Sequence, residues 1–243
     1  MKKIIFLTTI LVLSISSLTF AAGFEFDGGY LYTTFDSDTI NEGIDGVNNI
    51  YQNGANNFNS SGYDVNLDQA DDLDSATGFW IGFKTDYFKN ERSLGYEVGM
   101  NYETFSNDVE ANLHATDPTS SLYYKMHDSL DIEVQGFAIN GERKINDYFG
   151  ITGSIGYYYG EVETSYNYKT NDPTLDDDSD SVTDDLEGGA GFKIGVSTDF
   201  PVSENLSLTG KANYRVLELD IEDTDESIDF DGWEIKAGLS YKF

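Results

Sequence analysis

The chain has 243 residues and a formal net charge of −30, with 44 acidic residues against 14 basic ones and no cysteine. That balance leaves no basic groove to displace counterions from nucleic-acid phosphates and no polybasic patch for anionic lipid. Without thiols there is neither a disulfide framework nor a cysteine nucleophile or metal ligand. The 24 glycines, 17 tyrosines and 16 phenylalanines, set against 3 prolines, suit long strands with closely approaching backbones.

The first stretch reads as an export leader. Lys2 and Lys3 precede an apolar run over 4–18, and Thr19 and Ala21 stand at the −3 and −1 positions of a cleavage site. Cleavage after Ala21 leaves one domain over 22–243. No apolar helical stretch of spanning length follows Ala21, so a membrane form of the mature chain must be a closed barrel.

Period-two alternation then recurs along the chain. Residues 23–35 form a first strand, with Phe24, Phe26, Gly28, Tyr30 and Tyr32 on one face and Leu31 breaking the pattern on the other. Residues 36–75, rich in Asn, Asp, Gly and Ser, read as a loop that could carry a hairpin. A second strand over 76–88 shows Phe79, Ile81, Phe83, Thr85 and Tyr87 outward, and a short connection at 89–93 leads to a third over 94–105. After a polar segment at 106–128, a fourth strand over 129–143 is assigned Leu130, Ile132, Val134, Gly136 and Ala138 outward. Phe137 and Ile139 then fall on the polar face, which implies a bulge or an apolar plug.

Asn146 and Asp147 turn into a fifth strand over 148–164, and an acidic loop follows at 165–185. The sixth strand covers 186–200, the turn 201–205, the seventh strand 206–217 and a last acidic loop 218–229. The closing segment, 231–243, alternates Trp233, Ile235, Ala237, Leu239, Tyr241 and Phe243 with Glu234, Lys236, Gly238, Ser240 and Lys242 without a break.

Eight alternating segments result, joined by four long and three short connections in strict alternation. A soluble meander has no reason to sort its connections by parity; a transmembrane barrel with both termini on one side does. Run in their assigned directions, the strands place Phe24, Phe26, Tyr87, Phe88, Tyr148, Phe149, Phe200, Tyr241 and Phe243 near one rim. Tyr30, Tyr32, Phe79, Tyr102, Phe105, Tyr157, Tyr159, Tyr214 and Trp233 fall near the other, giving two aromatic girdles. Most acidic residues lie in the long loops, where Lys125 and Lys169 are the only strong bases.

These features resemble the small eight-stranded outer-membrane β-barrels, the class of OmpX and the OmpA transmembrane domain. The resemblance implies an all-β, antiparallel, up-and-down transmembrane barrel in a Gram-negative-type outer membrane, with four long extracellular loops and three short periplasmic turns. It implies lipid and lipopolysaccharide as surroundings, recognition of Phe243 by the barrel-assembly machinery, and a monomeric state.

Three constellations carry candidate chemistry. Inward charges Glu97, Glu103, Asp131, Glu133 and Glu234 against Lys193, Lys211, Arg215 and Lys236 imply a lumen filled by paired side chains. Asp176, Asp178, Asp180, Asp184 and Glu187 match the ligand positions of an EF-hand-like calcium loop, although Ser181 stands where such a loop needs glycine. His114 and His127 lie near Ser120, Ser121, Asp128 and Ser129, but no nucleophile motif accompanies them and no enzyme activity is expected. The expected role is structural or surface-interactive. Acidic loops would contact an envelope or host protein, lipopolysaccharide or divalent cations such as Ca2+, and no other cofactor is expected. The alternative is a narrow porin or an OmpW-like small-solute channel.

Overall fold

The structure is a computed structural model that describes residues 23–35, 37–87 and 95–243. The expected leader at 1–21, Phe88 and the connection at 89–93 lie outside those residues. In chain order the elements are β1 (Phe24–Thr34), α1 (Asp38–Ser60), β2 (Asp64–Asp68), β3 (Ser75–Tyr87), β4 (Tyr96–Thr116) and β5 (Tyr123–Lys144). They continue with β6 (Phe149–Thr170), β7 (Asp178–Pro201), β8 (Leu206–Val216), β9 (Glu218–Asp220), β10 (Ser227–Asp229) and β11 (Gly232–Lys242).

Eight of the strands close a ring, each antiparallel to the next, in the order β1-β3-β4-β5-β6-β7-β8-β11 and back to β1. Closure removes every sheet edge from the membrane. Outward positions carry Phe26, Tyr30, Phe79, Ile81, Ile151, Ile155, Ile194, Val196, Leu208, Ile235 and Leu239, all exposed. Such a surface is stable only against hydrocarbon. Aromatic pairs mark both limits of this band: Phe24–Phe83 at 5.6 Å and Tyr148–Phe200 at 5.9 Å on one rim, Tyr102–Phe137 at 5.1 Å and Tyr214–Trp233 at 5.7 Å on the other. β1 and β11 meet at the first rim, where the amide of Phe243 donates to Phe24 O at 2.9 Å. On that side a short turn is held by Asn146 Oδ1, which accepts from the amides of Tyr148 and Phe149.

The long connections differ from the expected loops. β4, β5, β6 and β7 contain 21, 22, 22 and 24 residues, about twice what a tilted strand needs to cross a bilayer. The segments read as loops at 106–128 and 165–185 therefore mostly continue the barrel wall outward as two tall hairpins, with β2 added at the free edge of β4.

The first long connection contains a 23-residue helix rather than a hairpin. Ile40, Ile44, Val47, Tyr51, Ala55 and Phe58 recur at helical spacing and form its apolar stripe. Its many Asn and Gly residues are poor helix formers, so tertiary contacts hold it. Asn48 clamps Ala70, donating to its carbonyl and accepting from its amide at 2.9 Å each, and Asn41 Oδ1 accepts from Leu73 N at 2.8 Å. Gly62, at φ +88°, ends the helix, and Tyr63 N donates back to Phe58 O at 3.1 Å.

The helix packs on the inner face of the tall sheet. Tyr51 and Ala55 meet Ala111, Leu113 and Ala115 in one cluster, while Ile40 and Ile44 join a larger one with Leu31, Trp80, Phe105, Ile132, Val134, Tyr158, Leu217 and Phe230. The second cluster fills the outer end of the barrel interior.

Candidate functional site

Two charged tiers fill the lumen beneath that apolar layer. In the lower tier Lys84 pairs with Glu97 at 3.1 Å and with Glu25 and Asp199 at 3.4 Å. Lys144 pairs with Glu142 at 2.8 Å and also reaches Asp199. Glu97, Glu142 and Asp199 bring carboxylate oxygens within 4.8 Å of one another, and the ammonium groups of Lys84 and Lys144 stand among them and offset most of that charge. Lys211 faces Asp27 at 3.5 Å, and a cavity of about 10 Å³ lies beside them, bordered by Lys84, Glu97 and Glu142.

The upper tier is built on Glu103, which is fully buried. Lys193 and Lys236 both pair with it, Lys193 also pairs with Glu234, and Lys236 reaches Glu234 at 3.2 Å. Asn101 donates to Glu103 at 3.0 Å and Asn213 to Glu234 at 3.1 Å. Arg215 roofs the tier, with its guanidinium 4.3 Å over the Phe105 ring and Nε donating to Phe230 O at 3.0 Å. Buried charges must be paired to be tolerated, and here the pairs knit β4, β7 and β11 together through the interior.

The structure thus joins Glu103, Lys193, Glu234 and Lys236 of the expected lumen set, with Arg215 above them. It sends Glu97 to the lower tier and pairs Lys211 with Asp27. Asp131 and Glu133 are corrections: both are exposed on the outward face of the tall sheet. The reason is that β5 faces the opposite way from the sequence assignment. Ile132, Val134 and Ala138 point inward, while Phe137 and Ile139 point outward at 40 % and 54 % exposure, so there is no bulge or apolar plug there. Phe105, assigned to the outer girdle, likewise lies inside at 1 % exposure.

Sequence reasoning missed Lys84, Lys144, Glu142, Glu25 and Asp199. For Glu142 the loss follows from the same inverted face. For Lys84 the signal was present, since it stands between outward Phe83 and Thr85. The calcium-loop reading is also corrected. Asp178, Asp180, Asp184 and Glu187 lie on β7, and only Asp176 precedes it. Asp178 and Glu187 stand nine residues apart on this one strand, about 30 Å, so the five carboxylates do not converge on one ion.

Above the membrane the two sheet faces differ sharply. On the inner face a cavity of about 300 Å³ lies between α1 and the sheet, lined by Ile40, Ile44, Val109, Leu130, Val162 and Ile228. Asp128 borders it beside the buried Tyr51. Burial first, and then the Asp128 carboxylate, raise the Tyr51 phenol's pKa well above its ordinary value.

On the outer face, carboxylates oppose one another across strands just beyond the aromatic rim. Asp108 faces Asp131, which faces Glu163, and Glu133 faces Glu161, which faces Asp185. Partial burial, and then the neighbouring Asp108, Glu163 and Glu110, push the Asp131 carboxyl above its ordinary range. Further out, His114 faces Lys125, which faces Lys169.

No protein-family model matches the sequence, and neither does any curated protein. Among solved structures, Ail of Yersinia pestis is 14 % identical with a TM-score of 0.45, over 91 % of this chain and 99 % of that one. OprG of Pseudomonas aeruginosa is 14 % identical with a TM-score of 0.44, over 92 % and 96 %. Neisserial surface protein A is 12 % identical with a TM-score of 0.41, over 90 % and 97 %. The closed ring of eight strands, its apolar outward band and its two aromatic rims give this chain the fold of the small outer-membrane β-barrels.

Proposed function

We propose that this protein is a closed outer-membrane barrel without catalytic activity, which anchors a tall extracellular sheet for structural and surface contacts. The observation that carries this reading is the filled lumen. Glu103, Glu234, Lys193 and Lys236 occupy its centre, the buried rings of Trp80 and Tyr158 pack beside them, Phe105 lies against Arg215, and α1 covers the outer end. An ion crossing that stack would have to break buried pairs, each worth several kcal/mol to disrupt.

The carboxylate rows beyond the aromatic rim support a second part of the role. They stand on the outward face, level with the phosphates of surrounding lipopolysaccharide, and divalent cations would bridge the two sets of anions. Phe243, 74 % exposed at the end of the closing strand, is available to the barrel-assembly machinery. An envelope or host partner would meet the upper sheet.

The test is single-channel conductance of the refolded protein in a planar bilayer, with heat-modifiable gel mobility as the folding control. The expected result is silence from folded protein. Steady unitary currents would overturn the closed-lumen reading and favour the channel alternative. For that alternative, the apolar cavity under α1 is the supporting observation.

A further inference from the structure

The outer face of the tall sheet holds an arrangement that folding does not account for. The protein carries a net charge of −30, yet beyond the membrane the bases converge. Lys125, Lys169, His114 and His127 all line one groove of about 920 Å³ on the outward face of β4, β5 and β6. Lys125 and Lys169 stand directly opposite each other on adjacent strands, a pairing that destabilises a sheet when the charges are alike. Carboxylates abound on the same face, but no ion pair to either lysine occurs among the described residues. Lys125 Nζ lies 5.5 Å over the Tyr123 ring.

The rest of the groove is mostly polar, with one carboxylate, Asp180, at its β7 margin and the apolar side chains of Leu113 and Met126. Asn66, Asn112, Asn167, Ser165, Ser179 and Ser181 present amides and hydroxyls around the bases. His127 is fixed by Asn112, whose Oδ1 lies 2.8 Å from Nδ1. The groove stands clear of the bilayer, because Lys125 lies about 40 Å along β5 from the rim residue Phe137.

We propose that this groove binds an acidic oligosaccharide bearing few charges. This deepens the surface-contact reading above and rests on it. The two lysines take a carboxylate, sulfate or phosphate by charge-assisted hydrogen bonds, while the amide and serine ladder takes sugar hydroxyls. Charge sets the upper limit on the ligand. Six residues down β5 from Lys125 lies Asp131, about 20 Å away, flanked by Asp108 and Glu163. A densely sulfated chain that outgrew the groove would run onto those carboxylates and be repelled.

The experiment uses the full mature protein refolded in detergent, with gel mobility as the folding control and titration calorimetry as the readout. The probes are 3′-sialyllactose, a hyaluronan tetrasaccharide, neutral lactose and a heparin octasaccharide. We expect at least one of the first two to bind and lactose not to bind. K125Q and K169Q should each weaken binding about tenfold or more, and a control change at Glu204, in a turn on the opposite side of the membrane, should leave it unaltered. Binding that survives the K125Q/K169Q double change, equal binding of lactose, or binding of heparin alone would each overturn the proposal. So would folded protein that binds none of the four. The lumen reading stands apart from these outcomes: a conducting barrel that binds the glycan loses only the closed lumen, and a silent one that binds nothing loses only the glycan.

Discussion

The phenol of Tyr158 on β6 donates to Oε1 of Glu103 on β4 at 2.5 Å, reaching inside the barrel past the intervening strand β5. Glu103 thereby collects a hydroxyl, the Asn101 amide and two ammonium groups. It is the anion on which the upper tier of the lumen depends.

Removing that anion leaves two buried cations without their main partner. Glu103→Ala should cost about 3–5 kcal/mol, seen as a lower urea midpoint for loss of the folded gel band. Glu133→Gln, at the position that the sequence pattern also assigns to the lumen, should change the midpoint by less than about 0.5 kcal/mol. Equal effects from the two changes would mean that the interior network does not support the barrel.

Tyr158 also needs room. A Cβ at Gly136 would lie 2.3 Å from its Cδ1, and Cβ atoms at Gly156 and Gly191 would lie 2.7 and 2.5 Å from its Cε2. Three strands give up their side chains to one ring. Gly191→Ala should destabilise by about 1–3 kcal/mol through overpacking, and Tyr158→Phe in the same background should not restore it, since the two atoms that a Cβ there would crowd, at 2.5 and 2.8 Å, both belong to the ring. A smaller cost of G191A in a Y158A background, measured by the same urea series, would locate the strain correctly.

The helix over the barrel mouth is held by its stripe and its asparagine clamps. Tyr51→Ala should remove about 3–5 kcal/mol of local packing without opening the eight-stranded ring. Limited proteolysis should then cut within α1 while gel mobility stays that of a folded barrel. Simultaneous loss of both signals would mean that helix and barrel unfold as one unit.

The carboxylate rows predict an unusual response to acid. Asp131 has a raised pKa in the folded protein, so the folded sheet binds the proton more readily than the unfolded chain does. Its contribution favours folding below the unfolded-state value and is lost as pH rises through the folded one. Amides of β4, β5 and β6 around residues 108, 131 and 163 should therefore exchange more slowly, after correction for intrinsic rates, as pH falls toward the carboxylate range. Asp131→Asn should give about 0.5 kcal/mol of protection at neutral pH and flatten the dependence. Protection that falls with acid in the unaltered protein would contradict this.

Much of the barrel is legible in the sequence because lipid imposes a simple rule: outward positions must be apolar, and the period is two. That rule finds the eight strands, the parity of their connections and the aromatic rims. It fails on β5 because this strand changes surroundings along its length. Ile132 and Val134 face the apolar interior beyond the membrane, while Phe137 and Ile139 face lipid, so both faces look hydrophobic and the phase is ambiguous. The helix was hidden differently. Its Gly and Asn content reads as loop, and only the spacing of Ile40, Ile44, Val47, Tyr51, Ala55 and Phe58 betrays it. The lumen pairs follow wherever the phase is right, as at Glu103, Lys193, Glu234 and Lys236, and are lost where it is wrong, as at Glu142.

The tall sheet, unlike the ring below it, is open. One margin is β2, which carries Asp64 and Asp68; the other is the outer part of β7, which carries Asp178, Asp180 and Asp184. Barrels diffusing in one membrane plane keep the same upright orientation, so such margins meet repeatedly and could zip together into ribbons. Aspartate lining both margins turns each encounter into repulsion. Crowding at the cell surface would then leave neighbouring copies separate, with their upper faces free.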